Sequence, residues 1–382
     1  MRIHKTFVKA KLGEQTYILP YGQSIADHCT GITLNETGEL LWEGTKKGYD
    51  TEKLLHLLKK EYALEDDMEK ELASDIAGFQ RNLLAVGIAR TTEPEDYGWL
   101  PLFFSAGPLH ITYKGPQILF DKYFSQFKCD ETKQTDLTIQ ISCLPPRCLK
   151  NGTVLVRTDE LILMETEEEY LFLFPKFPVL SEMQVSKDGS HAILFCNSRL
   201  FEEKMEDIFH GIRFAVLITA SEKGLFFLHS ASILYQDKAY LFSGKSGTGK
   251  STHTNLWKEI FQTELLNGDL NMIGIENDTA YVYGQPWCGT SGICTEKNFP
   301  LGGIIFLKQA KENYCEIPEK PEKLLAIIQR LISPAWDETL LKRNISFAEQ
   351  LEKHCPVWRL SCTPDKKAAI VMKKEIDKQT TL

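Results

Sequence analysis

The chain has 382 residues, 43% hydrophobic and 25% charged, with 44 Lys and Arg against 52 Asp and Glu for a net charge of −8. That length suits two or three domains with sizeable cores, and the acidic balance argues against sequence-independent nucleic-acid binding, in which Lys and Arg must neutralise phosphates. No apolar run nears the ~18–20 residues of a bilayer span and the opening Met1–Thr6 lacks the apolar core of a secretory signal, so a cytoplasmic protein without a membrane span is expected.

Residues 1–92 read as one unit. Phe7–Lys11 and Thr16–Leu19 flank a Gly-Glu turn and predict a hairpin. Asn35 is placed to cap a helix whose apolar face is Leu40, Leu41 and Trp42. Thr51 is the expected cap of a second helix reaching Tyr62, with Leu54, Leu55, Leu57 and Leu58 at helical spacing. A third helix is expected over Met68–Val86, stopped by Gly87. Strands followed by three short helices suggest a small winged-helix-like module. The polar, acidic stretch Thr91–Trp99 reads as a linker.

Residues 100–224 hold short apolar runs, among them Leu102–Phe104, Ile111–Tyr113, Leu137–Ile141, Thr153–Val156, Leu161–Met164 and Tyr170–Phe174. They predict a β-rich region that covers or extends the C-terminal domain, with a helix over Glu202–Ala220. No catalytic motif lies in it. Residues 225–382 alternate apolar strands and helices in an α/β pattern: strands at Leu225–Leu234, Ala239–Ser243, Leu265–Leu266, Ala280–Tyr283, Gly303–Leu307 and Val357–Leu360. Helices are expected from Lys250, near Lys323–Ile332, over Glu338–His354 and over Lys366–Ile376.

This last part carries the chemistry. Gly244-Lys245-Ser246-Gly247-Thr248-Gly249-Lys250-Ser251-Thr252 satisfies the phosphate-loop pattern Gly-x₄-Gly-Lys-Ser/Thr, between an apolar strand and a helical segment. Its glycines let the backbone curl so that N–H groups face phosphate oxygens, and the helix beginning near Lys250 adds its positive dipole end. Lys250 is expected to reach the β- and γ-phosphates, and Ser251 to offer its hydroxyl to Mg²⁺. A nucleotide triphosphate and Mg²⁺ are therefore the expected cofactors.

Such a site needs a second acidic group for the metal. Leu265-Leu266-Asn267-Gly268-Asp269 supplies one in Asp269, eighteen residues beyond Ser251. His229 follows Leu225–Leu228 one strand before the loop, and the antiparallel return of the chain would bring it near the phosphates. Tyr283-Gly284-Gln285-Pro286-Trp287-Cys288-Gly289-Thr290-Ser291-Gly292 reads as an ordered loop, with Thr290 and Ser291 as candidate donors to nucleotide or substrate. The ten cysteines show no Cys-x-x-Cys spacing, which argues against zinc sites and disulfide frameworks. Cys288 lacks a sequence partner to activate it as a nucleophile.

Residues 225–370 resemble the catalytic domain of HPr kinase/phosphorylase and its relatives, a fold shared with phosphoenolpyruvate carboxykinase. The residues that carry this are Leu228-His229-Ser230-Ala231, Gly244–Thr252 continuing as His253-Thr254-Asn255-Leu256-Trp257, Asn267-Gly268-Asp269, and Tyr283–Thr290. The resemblance implies that His229 lies near the phosphates, that Lys250 and Ser251 serve nucleotide and metal, and that Asp269 is the strand-end carboxylate. HPr kinases carry two adjacent aspartates there; Gly268 stands in the first position here, so the identity of the catalytic base stays open. The HPr kinase signature beyond the P-loop that supports phosphorolysis is not found, so that reaction is not carried over. Residues 1–90 are similar to PqqD-like domains, which bind leader peptides of ribosomally made, modified peptides. The matching run is Leu34-Asn35-Glu36-Thr37-Gly38-Glu39-Leu40-Leu41-Trp42, continued by Phe79, Leu83, Leu84 and Gly87-Ile88.

The expected architecture is thus a multidomain α/β and α+β chain: a PqqD-like leader-recognition domain (1–92), a β-rich region (100–224) and an HPr kinase-like P-loop domain (225–382). The expected function is an ATP-dependent kinase that phosphorylates a Ser or Thr hydroxyl of a precursor peptide held by the N-terminal domain. Catalysis is assigned to Asp269, His229 and Lys250, nucleotide binding to Gly244–Thr252, and metal binding to Ser251 and Asp269. A kinase of a small molecule or folded protein, and a nucleotide-gated peptide chaperone without phosphotransfer, are the alternatives. The sequence carries no signal of oligomeric state.

Overall fold

The computed structural model describes residues 2–3, 6–26, 29–63, 68–90, 99–132, 134–143, 152–197 and 200–380. The chain is a mixed α/β protein and forms two compact units. One comprises Met1–Leu100, Gln140–Gln184 and Ile193–Gly211; the other comprises Pro101–Ile139, Val185–Ala192 and Ile212–Leu382. The middle region expected at 100–224 contributes to both. The linker expected at Thr91–Trp99 falls outside the described residues except for Trp99. Among the described residues no helix is long and apolar enough to cross a membrane.

The first unit begins with a three-stranded antiparallel sheet, β1 (Phe7–Leu12), β2 (Gln15–Pro20) and β3 (Ile32–Leu34), with β2 in the centre. Three helices follow: α1 (Glu36–Lys46), α2 (Thr51–Tyr62) and α3 (Glu69–Ala85). Asn35 caps α1, its side-chain oxygen accepting from the Gly38 N–H at 2.8 Å. The cap of α2 is Asp50, not Thr51, which is the first helical residue; the Asp50 carboxylate accepts from the Lys53 N–H at 2.9 Å. Trp42 is buried with Phe7, Ile18, Leu34, Leu83 and Ile88, so sheet and helices share a core. The same unit holds an antiparallel set of strands, Thr153–Arg157, Ile162–Glu165 and Glu169–Leu173.

The second unit contains the hairpin Leu102–Ala106 and Leu109–Lys114 and most of helix α4 (Met205–Glu222). Its principal sheet has eight strands: β4 (Phe226–Tyr235), β5 (Lys238–Ser243), β6 (Glu264–Asn267), β7 (Leu270–Glu276), β8 (Thr279–Tyr283), β9 (Phe299–Gln309), β10 (Tyr314–Glu316) and β11 (Val357–Cys362). The order is β5-β4-β7-β8-β9-β11-β10, with β6 also on β4 and β5 also on β9. Two long strands serve two neighbourhoods each. The first half of β4 pairs with β7 and the second half with β5 and β6. The start of β9 pairs with β8, and its continuation runs parallel to β5 and β11.

The helices that pack on this sheet include α5 (Lys250–Phe261), α6 (Lys320–Ile328), α7 (Glu338–His354) and α8 (Lys366–Thr380). Trp257 of α5 and Ala368, Ala369, Met372 and Ile376 of α8 pack on Ile233, Phe242, Ile305 and Leu360. A second cluster joins Ile327 of α6 and Phe347, Ala348 and Leu351 of α7 to Phe226, Leu241, Ile273 and Ile304. Apolar helices therefore clamp β5 and β9 between two cores, and the loop leaving β5 starts from a rigid strand.

Candidate functional site

The phosphate-loop motif lies between β5 and α5, in the frame its chemistry requires. Gly249 is the N-cap of α5 and has φ 96°, a left-handed conformation that suits glycine. Lys250 is the first helical residue, and Ser251 and Thr252 are exposed in the first turn. Thr248 closes the loop, its Oγ1 donating to the Lys245 carbonyl at 2.8 Å. From β9, Gln309 Nε2 donates to the Gly247 carbonyl at 3.1 Å. Lys245, Ser246 and Gly247 are exposed.

Strand register brings His229 to this loop. In the antiparallel pair β4–β5, Ser230 faces Ser243, so His229 is next to the point where the loop begins. Ser243 Oγ donates to the His229 carbonyl at 2.7 Å. On the other side of β4, the Ser230 N–H donates to the Asp269 carbonyl at 2.9 Å. His229 Nε2 and Asp269 Oδ1 lie 3.3 Å apart, both half-buried.

Asp269 sits in a turn built by Asn267. The Asn267 side-chain oxygen accepts from the N–H groups of Asp269 (2.9 Å) and Leu270 (3.0 Å), and its amide donates to the Trp287 carbonyl at 3.2 Å. Buried Gln285 ties the same parts together, donating to the Leu270 and Trp287 carbonyls at 2.6 and 2.8 Å. The loop Tyr283–Gly292 is thus an ordered wall beside Asp269. Its Ser291 hydroxyl is engaged within the loop, donating to the Cys288 carbonyl at 2.7 Å and accepting from the Ile293 N–H at 3.2 Å. Thr290 is exposed in the short 3₁₀ turn Gly289–Ser291.

Position 268 leaves no room for a side chain. A Cβ placed there would run into the Ser291 side chain. The loop that walls the site occupies the volume an acidic side chain would need.

Charge converges on Asp269. The hydrogen bond from His229 holds its carboxyl below the usual carboxylate range, and the fields of His229, Arg213 and Lys250 act the same way against the cost of burial. Burial lowers the Lys250 ammonium, with Arg330 pushing in the same direction and Asp269 opposing. Arg213 and Arg330 were not among the sequence candidates. Arg213 lies in α4, and its Nε is buried without a hydrogen-bond partner among the described residues. Arg330 follows α6, and its carbonyl accepts from the His229 N–H at 2.9 Å. One signal was present in the sequence for Arg213: a lone charge in the run Ile212–Ala220, which is otherwise uncharged.

The donor set suits a metal-bound triphosphate. Ser251 and Asp269 would hold Mg²⁺, and the loop N–H groups and Lys250 would hold phosphate oxygens. Among the described residues there is no cluster of three or more His, Cys, Asp or Glu side chains.

No family model and no curated protein matches the chain. Among solved structures it has a distant similarity to the Hpr(Ser) kinase/phosphatase from Coxiella burnetii, with 9% identity over 41% of this chain and 96% of that one and a TM-score of 0.24.

Proposed function

We propose that the protein is an ATP-dependent, Mg²⁺-requiring kinase that phosphorylates a Ser or Thr hydroxyl of a ribosomally made precursor peptide. The observation that carries the reading is the meeting of the Gly244–Gly249 loop, Lys250 and the His229–Asp269 pair where β5 ends beside the middle of β4. Loop N–H groups and Lys250 bind and orient the triphosphate. Asp269 accepts the proton of the acceptor hydroxyl and would also hold the metal, since Gly268 offers no second carboxylate. His229 keeps the Asp269 carboxylate oriented through its hydrogen bond. Mg²⁺, when bound, neutralises charge on the β- and γ-phosphate oxygens.

The peptide half of the proposal rests on the resemblance of residues 1–92 to PqqD-like domains. Among the described residues, β1 and β3 each pair only with β2. A leader could therefore add to either edge as an extra strand. Holding the peptide this way would raise the acceptor's effective concentration to roughly mM for a short connection.

The test is incubation of the full chain with radiolabelled ATP, Mg²⁺ and the peptide encoded beside its gene. Label on a Ser or Thr of the peptide is the expected result. Nucleotide binding without any transfer would replace the kinase by a peptide chaperone. Label on a small molecule or folded protein would keep the kinase and discard the peptide.

A further inference from the structure

A loop can offer its N–H groups to an anion only if its carbonyls are turned elsewhere, because the two point in opposite directions across a trans peptide unit. Carbonyls of the phosphate loop have partners within the protein. The Lys245 carbonyl accepts from the Thr248 N–H at 3.2 Å and from Thr248 Oγ1 at 2.8 Å. The Gly249 carbonyl accepts from the His253 N–H at 2.9 Å, in the first turn of α5. The Gly247 carbonyl accepts from Gln309 Nε2 at 3.1 Å. Among the described residues the N–H groups of Ser246, Gly247 and Gly249 make no hydrogen bond.

Gln309 differs from the other two donors because it comes from outside the loop and its helix, 62 residues along the chain. It is the last residue of β9 and pairs with Cys362 of β11. The next residue is anchored as well, the Ala310 N–H donating to the Cys362 carbonyl at 3.0 Å. Past the strand end, Asn313 Nδ2 donates to Thr363 Oγ1 and the Thr363 N–H donates to Asn313 Oδ1, both at 2.8 Å. Gln309 therefore reaches the loop from a braced backbone. Gly247 has φ 78° and no side chain with which to hold the turn itself. The peptide plane between Gly247 and Thr248 is held at both ends, its N–H by Lys245 and its carbonyl by Gln309. That plane lies between the free N–H groups of Gly247 and Gly249.

We propose that Gln309 is a positioning residue for the triphosphate: it holds the Gly247 carbonyl toward β9 and so keeps the flanking N–H groups available to phosphate oxygens. The proposal deepens the kinase reading above and rests on it. Lys250 attracts phosphate by charge, whereas Gln309 acts through the shape of the loop and touches no reacting atom. Its contribution should consequently be the same for any polyphosphate, whatever nucleoside is attached. Gly247 and Gln309 are both exposed, so water replaces part of a lost hydrogen bond.

The experiment uses the full-length protein and two substitutions. Gln309→Met keeps the length of the side chain and its neutrality but has no donor; Gln309→Glu removes the donor and adds a negative charge. Binding of Mg²⁺-ATP and of inorganic tripolyphosphate is measured by calorimetry. In Gln309→Met both affinities should fall by the same factor, about three- to tenfold, with an unchanged melting temperature. At about 1 M salt, where charge is screened, Gln309→Glu should show the same loss relative to wild type. The clamp itself is read without ligand from the amide signal of Thr248 in ¹⁵N-threonine-labelled protein, since that amide shares its peptide unit with the Gly247 carbonyl. The signal should move in both variants.

Wild-type affinity in Gln309→Met, a loss confined to Gln309→Glu at low salt, or a loss for ATP without one for tripolyphosphate overturns the proposal. An unmoved Thr248 signal overturns it as well. If the wild-type protein binds neither probe, the kinase reading fails and the triphosphate role of Gln309 fails with it. If the wild type binds both and Gln309→Met binds them equally well, only the positioning role fails.

Discussion

His229 Nε2 and Asp269 Oδ1 lie 3.3 Å apart although forty residues separate them in the chain. Two neighbours of β4 produce this contact. The register with β5 sets His229 beside the start of the phosphate loop, and the Ser230 N–H holds the Asp269 carbonyl at 2.9 Å on the other side. His229, Asp269 and the start of the phosphate loop are thereby positioned by one strand.

The pair makes a prediction about pH. The hydrogen bond from His229 is the leading cause of the lowered Asp269 carboxyl, which must be ionised to act. A depressed carboxylate keeps its function above its folded value and loses it as pH falls through that value. Removing the hydrogen bond in His229→Ala lets the carboxyl rise. The acid limb of the pH–rate profile for phosphoryl transfer should then move to higher pH. An unmoved acid limb would mean that Asp269 is not the titrating group. Asp269→Asn should lose transfer at every pH while the protein stays folded by circular dichroism.

Lys250 gives a second prediction, on the alkaline side. Its ammonium is lowered by burial and by Arg330, and it binds phosphate only when charged. Lys250→Ala should abolish nucleotide binding with little change in melting temperature, because the side chain is not part of either core cluster. In Arg330→Ala the ammonium should rise, so the alkaline loss of nucleotide affinity should shift to higher pH. Binding of a fluorescent nucleotide across a pH series measures the midpoint separately from the amplitude.

Trp257 tests how the core supports the loop. It is fully buried on α5, with ring centroids 5.0 Å from Phe261 and 5.3 Å from Tyr235. Trp257→Ala should destabilise the unit by about 3–5 kcal/mol, the usual range for an aromatic emptied from a core. Because Lys250 opens the same helix, nucleotide affinity should fall with stability. Urea denaturation and nucleotide titration of Trp257→Ala and Trp257→Phe check this, with the smaller loss expected for phenylalanine.

Several of these features are legible in the sequence for a physical reason: their signals are contiguous. Gly244–Thr252 is read from one stretch, and the helix Glu338–His354 is found at the expected bounds because Asp337 caps it and its apolar residues recur at helical spacing. Signals that depend on distant partners are not legible. Strand β7 is not evident from the sequence because Asn271 and Gly274 interrupt its apolar run. Asn271 is nonetheless buried, its amide donating to the Ser230 carbonyl at 2.6 Å and its oxygen accepting from Ser232 at 2.7 Å. Arg213 likewise reads as one cation in an apolar helix, and only the fold relates it to Asp269. At α2, Asp50 and Thr51 are both competent caps, and one-residue ambiguity of this kind is intrinsic to adjacent capping side chains.

The crowding at Gly268 can be tested directly. A Cβ at that position runs into the Ser291 side chain, and Ser291 has little freedom to move. Its hydroxyl donates to the Cys288 carbonyl at 2.7 Å and accepts from the Ile293 N–H at 3.2 Å. Gly268→Asp should therefore cost about 1–3 kcal/mol, the range for overpacking a filled site. Shortening the obstacle in Ser291→Gly should recover part of that cost, so the two substitutions should couple in a double-mutant cycle. Chemical denaturation of the four proteins measures the coupling. If Gly268→Asp keeps wild-type stability, or the two costs simply add, steric exclusion by Ser291 is not what keeps a carboxylate out of position 268.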